Sequence, residues 1–150
     1  MQISSRFTIA VHILTCIDYF KGKNQLSSEF IAASVGTNPV VIRRILGQLK
    51  KAGLVEVSRG GHGEASITKP LNQITLYDIY KAVGSVDDEL FHFHENPNPE
   101  CPVGRNIHAS LDERLEQVQK AMEDSLKSMK LSDVINDTEN RIHDEEQKSQ

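Results

Sequence analysis

Apolar residues recur at helical spacing over residues 4–21. Ile9, Ala10, Ile13, Leu14, Ile17 and Phe20 share one side, and Gly22 follows as a stop. After a polar turn from Lys21 to Gln25, a short helix is predicted from Ser28 to Val35, with Ser27 or Ser28 as N-cap and Gly36 at its end. The segment 39–52 carries the sharpest boundaries: Asn38 at the N-cap, Pro39 at the first helical position and Gly53 just past the end. Val41, Ile42, Ile45, Leu46, Leu49 and Ala52 form its apolar stripe, and Arg43, Arg44, Gln48, Lys50 and Lys51 its polar side.

The period then changes. Leu54-Val55-Glu56-Val57 alternates as a strand does, Arg59 to Glu64 is a Gly-rich loop, and Ala65-Ser66-Ile67 is a short return strand. A fourth helix starts at Thr75, where Thr75 and Asp78 have the spacing of a capping box. Residues 85–104 read as irregular, with Pro97, Pro99 and Pro102. A long helix is predicted over 105–129, because Ile107, Leu111, Leu115, Val118, Met122, Leu126 and Met129 make one stripe on a charged rod. Leu131 to Ile135 continues or breaks that helix, and the polar tail 138–150 is expected to be disordered.

A short helix, a Gly turn, a second helix and a hairpin with a Gly-rich tip predict a mainly α fold: a winged helix-turn-helix domain with a long C-terminal dimerisation helix. The division expected is a DNA-binding domain at 1–84, an irregular loop at 85–104, a dimerisation region at 105–137 and the tail at 138–150. A stripe as long as that of 107–129 needs a cover, and a homodimer supplies one.

Charge sharpens this picture. The formal net charge is −4, yet residues 1–82 carry +5 (10 Lys and Arg against 5 Asp and Glu), leaving −9 for the remainder. A basic half joined to an acidic half points to nucleic acid as the partner of the basic half. The two cysteines, Cys16 and Cys101, are too far apart in sequence to suggest a disulfide framework. No signal peptide and no stretch near the ~20 apolar residues of a membrane helix is readable. A cytoplasmic protein with no membrane partner is expected.

The candidate chemistry lies on segment 39–52. A recognition helix presents one face to the major groove while the other packs inward, and this segment has both. Arg43 and Arg44 lie near its N-terminal end, and arginine suits bidentate contact with guanine. Ser28 and Pro39 join them as helical DNA-binding candidates, and Arg59 and His62 at the wing tip are candidates for phosphate or minor-groove contact. No Ser-His-Asp order, phosphate-cradling loop or paired-carboxylate pocket is readable, so no enzyme is expected. The alternative is an interaction module with the same fold and no DNA contact.

Several segments resemble one known family: Ile3-Ser4-Ser5-Arg6-Phe7, Ser27-Ser28-Glu29-Phe30-Ile31-Ala32, the run from Ile45 to Val55, Ser58-Arg59-Gly60-Gly61, and Ile74 to Ile79. The chain is similar over residues 1–84 to the Rrf-two type of winged-helix regulators, which includes an iron–sulfur cluster regulator, a cysteine metabolism repressor and a nitric-oxide-sensing repressor. The resemblance implies a DNA-binding dimer with crossing long helices, a sensing loop before that helix, and base contacts from Asn38, Val40, Arg43 and Arg44. A repressor acting on a palindromic operator is the expected function. Cluster-binding members carry three cysteines in the loop, where this chain has only Cys101, so no cofactor is expected. The wing also has Glu64-Ala65 where the family usually has an aromatic.

Cys101 is the candidate redox sensor, since it lies just before the long helix with Arg105 nearby. His92, His94, Cys101 and His108 have the residue types of a metal site, but their spacing does not make ligands converge, and no metal is expected. Cys16, on the first helix, is expected to be a small core residue.

Overall fold

The computed structural model describes residues 5–23, 26–58, 64–84 and 89–150. Three helices come first: α1 (Arg6–Tyr19), α2 (Ser28–Val35) and α3 (Pro39–Lys51). Strands β1 (Val55–Val57) and β2 (Ala65–Ile67) follow, then a 3-10 turn at Leu71–Gln73, α4 (Leu76–Val83), α5 (Pro102–Lys127) and α6 (Leu131–Lys148). The strands pair antiparallel, with Val55 opposite Ile67 and Val57 opposite Ala65.

One apolar core joins elements distant in sequence. Ile13, Leu14 and Ile17 of α1, Ile31 of α2, Ile42, Ile45 and Leu49 of α3, and Ile79 and Val83 of α4 are all buried. Phe20 meets Phe30 edge-on at 5.0 Å, holding the end of α1 to α2. The capping box at α4 forms: Thr75 Oγ1 accepts from the Asp78 amide at 3.0 Å, and Asp78 Oδ2 accepts from the Thr75 amide at 2.9 Å.

The C-terminal part departs from the sequence reading. The long helix begins at Pro102, with Cys101 in the N-cap position, because proline is pre-organised for the first helical position. It ends at Lys127, and the chain turns into a separate helix. Backbone bonds pin this turn to the segment before α4: Leu76 N donates to Met129 O at 2.9 Å and Leu131 N to Ile74 O at 2.8 Å. Leu131 and Ile135 then enter the core, 0% and 1% exposed, where α6 packs on α1.

The expected disorder of 138–150 is therefore corrected, since α6 runs to Lys148. Helix initiation is the unfavourable step and extension is cheap. Here the docked first turn nucleates the helix, and polar residues such as the Arg141–Asp137 pair, 2.9 Å apart, extend it. A tail that is polar by composition becomes helical because of what precedes it.

Candidate nucleic-acid interface

The candidate interface is built on α2, α3 and the turn between them. Ser27 caps α2, accepting from the Phe30 amide at 3.0 Å, which leaves Ser28 half-buried as the first helical residue. Gly36 ends α2 in the left-handed region, with φ 80°, a conformation that costs glycine nothing. Thr37 and Asn38 complete the turn. Asn38 Oδ1 accepts from the Val40 amide at 2.8 Å, a cap worth about 1 kcal/mol. Pro39 is the first helical residue. At the other end Gly53, φ 78°, releases the chain into β1.

Helix α3 divides cleanly. Ile42, Ile45 and Leu49 are 0% exposed and seat it on the core. Val40, Arg43, Arg44, Gly47, Lys50 and Lys51 are exposed on the opposite side. Val40 is 52% exposed, an apolar side chain near the helix start that suits a thymine methyl group. The Arg43 guanidinium donates from Nη2 to Glu29 Oε1 at 3.2 Å, tying α3 to the first turn of α2. The structure therefore gathers Ser28, Asn38, Pro39, Val40, Arg43 and Arg44 around the α2–α3 pair. Arg59 and His62 lie outside the described residues. The strands that would carry them are held by Thr68 N donating to Leu54 O and Ser58 N to Glu64 O, both 3.1 Å.

Two features of this surface escape a reading of the chain alone. Glu29 and Arg43 meet only because α2 and α3 fold together, and no local spacing announces that pair. Gly47 is legible as a glycine on the polar side of a helix interior, where it costs about 1 kcal/mol relative to alanine, but its role there is not.

The loop and thiol candidates lie elsewhere. Cys16 is 5% exposed. Burial raises its pKa, and a hydrogen bond with Ser34 offsets part of that rise. Cys101 is a free, half-buried thiol at the start of α5. Arg105 Nη1 donates to the carbonyls of Pro99 at 3.2 Å and Glu100 at 3.4 Å, which holds a positive charge close to Cys101. The rings of His94 and His108 lie 5.0 Å apart, and His108 Nδ1 is 2.9 Å from Asp112. Among the described residues, no three His, Cys, Asp or Glu side chains are gathered to hold a metal ion. No described helix is long and apolar enough to cross a membrane.

The chain matches known proteins over most of its length. The family model described as Rrf2, iron-dependent transcriptional regulator, matches residues 3–137. A candidate HTH-type transcriptional regulator of Bacillus subtilis, YwnA, is 49% identical over 135 residues, covering 90% of this chain and 98% of that protein. The crystal structure of a candidate DNA-binding protein is 44% identical, with a TM-score of 0.69, over 87% of this chain and 99% of that one. CymR, the global cysteine regulator of B. subtilis, shares the fold at 20% identity, with a TM-score of 0.65 over 91% of this chain and 97% of that one.

The iron dependence in the family's description finds no matching donor set among the described residues. A cysteine-held cluster needs several thiolates, and this chain has two cysteines, one of them in the core and hydrogen-bonded to Ser34. With a family model matched from residue 3 to residue 137 and a relative of equal extent at 49% identity, this chain belongs to the Rrf2 family of transcriptional regulators.

Proposed function

We propose that the chain is a sequence-specific, cytoplasmic repressor without cofactor or catalytic activity, acting as a homodimer on a palindromic operator. The carrying observation is the division of α3, with Ile42, Ile45 and Leu49 fully buried and Arg43 and Arg44 exposed on the opposite face. Such a helix enters the major groove with its outer side chains on base edges. Two copies related by a two-fold axis place their recognition helices about one DNA turn apart. The dimer surface proposed is α5, which has no fully buried residue of its own and leaves Val103, Leu111 and Val118 exposed.

The test is selection of random duplexes on the purified protein, followed by titration of the selected site. Affinity is expected to fall steeply with salt, as counterion release requires. Replacing both Arg43 and Arg44 by alanine is expected to abolish discrimination, at about 1–3 kcal/mol for each base the arginines no longer read. An interaction module with no DNA role would select no sequence and show no salt slope.

The position of Cys101 favours a thiol response as a second element of this reading. It stands at the N-cap of α5, where the positive end of the helix dipole lies, and Arg105 hydrogen-bonds the carbonyl of the residue before it. Peroxide oxidation to the sulfenic acid there would act on the helix proposed to hold the dimer. Cys101→Ser is expected to keep DNA binding and lose any peroxide response; a retained response removes Cys101 from the account.

A further inference from the structure

Four of the other described glycines have a structural reason to be glycine. Gly22, Gly36 and Gly53 have φ between 73° and 80°. Gly104, inside α5, is backed against the Asn98 carbonyl, which a Cβ would strike. Gly47 has neither reason. It lies in the interior of α3, and a Cβ built on it meets nothing within 4 Å.

Its place on the helix is specific. At about 100° per residue, Gly47 falls midway between Arg43 and Lys51, with Val40, Arg44 and Lys50 close around it. The buried Ile42, Ile45 and Leu49 occupy the far side. The missing side chain is therefore at the centre of the exposed basic face. A helix that forgoes alanine there, with no internal neighbour to require it, leaves its backbone open to something from outside.

We infer that Gly47 is a close-approach point for DNA, where the wall of the major groove comes against the backbone of α3 and lets the surrounding arginines and lysines reach bases and phosphates. This rests on the reading of α3 as the DNA-reading helix. The major groove is about 12 Å wide and takes one helix with little to spare, so the depth at which α3 sits depends on the bulk at its centre. A Cβ at residue 47 would lift the helix, and every contact made by Val40, Arg43 and Arg44 would lengthen together.

The experiment compares the full-length parent, Gly47→Ala and Gly47→Val on the duplex selected by the parent, across a salt series, with thermal melting of each free protein. Gly47→Ala is expected to raise Tm by a few degrees, since alanine is the better helix former. It is expected to bind at least about tenfold more weakly at a given salt, with the salt slope unchanged because no charge is removed. Gly47→Val is expected to bind more weakly still. If the parent binds its site and Gly47→Ala binds equally or more tightly, the inference falls while the reading of α3 stands. A lower Tm accompanying weaker binding in Gly47→Ala would assign Gly47 a structural role and also overturn it. A parent that selects no sequence overturns the reading of α3, and the inference with it.

Discussion

The Arg43 guanidinium lies 3.2 Å from the Glu29 carboxylate, so an acid on α2 holds a base-reading candidate on α3. Both side chains are well exposed, at 54% and 67%, and a pair so open to solvent adds little to stability. What it supplies is direction, because one nitrogen of a five-donor guanidinium is engaged while the side chain stays exposed. Glu29 is held below its ordinary pKa, first by a hydrogen bond from its own backbone amide and then by Arg43. A lowered carboxylate pKa means that the pair is intact above the usual glutamate range and is lost as pH falls through the lowered value.

Glu29→Gln is expected to leave Tm at neutral pH essentially unchanged. It also removes a negative charge beside the proposed DNA face and frees Arg43. Binding to random duplex should tighten while the preference for the selected site narrows, as competition titration against both duplexes would show. Unchanged discrimination would mean that Glu29 does not orient Arg43.

Leu131 tests how the C-terminal helix is held. It is 0% exposed, and Leu131→Ala should cost about 2–5 kcal/mol through reduced burial and a cavity. A chain ending at Asp137 keeps Leu131 and Ile135, so it should lose helical circular dichroism with a much smaller change in Tm. Equal destabilisation by the two changes would place the anchoring farther along α6.

Val118, 48% exposed on α5, tests the proposed dimer. Val118→Glu should shift the protein toward monomer in sedimentation analysis without unfolding it, because that side chain stands half open to solvent and outside the buried core. Operator affinity should fall steeply, since one half-site alone must then hold the protein. An unchanged sedimentation profile would move the interface off this part of α5.

The two thiols should react at very different rates. Cys101, half-buried, should be alkylated readily in the native protein, and Cys16 slowly until denaturant is added. Burial raises the pKa of Cys16, so its contribution to stability is complete below the ordinary cysteine range and is lost as pH rises through the raised value. Cys16→Ala should flatten that alkaline loss in a series of melts at increasing pH.

The helix-turn-helix was legible because its signals are local. Asn38, Pro39 and Gly53 act within a residue or two of the helix ends they define, and the spacing of Ile42, Ile45 and Leu49 states which side faces inward. The capping box of Thr75 and Asp78 is local in the same way. These elements, their order and the basic side of α3 follow from the chain read three or four residues at a time.

Tertiary structure decided what depends on distant partners. The meeting of Glu29 with Arg43 needs two helices to cross. The course of residues 131–148 needs a core for Leu131 and Ile135 to enter, and without it their polar continuation carries the composition of a disordered tail. Gly47 shows the division most directly. Its place on the polar side was readable, but the empty space around it was not, because emptiness belongs to the packed molecule and not to any stretch of chain.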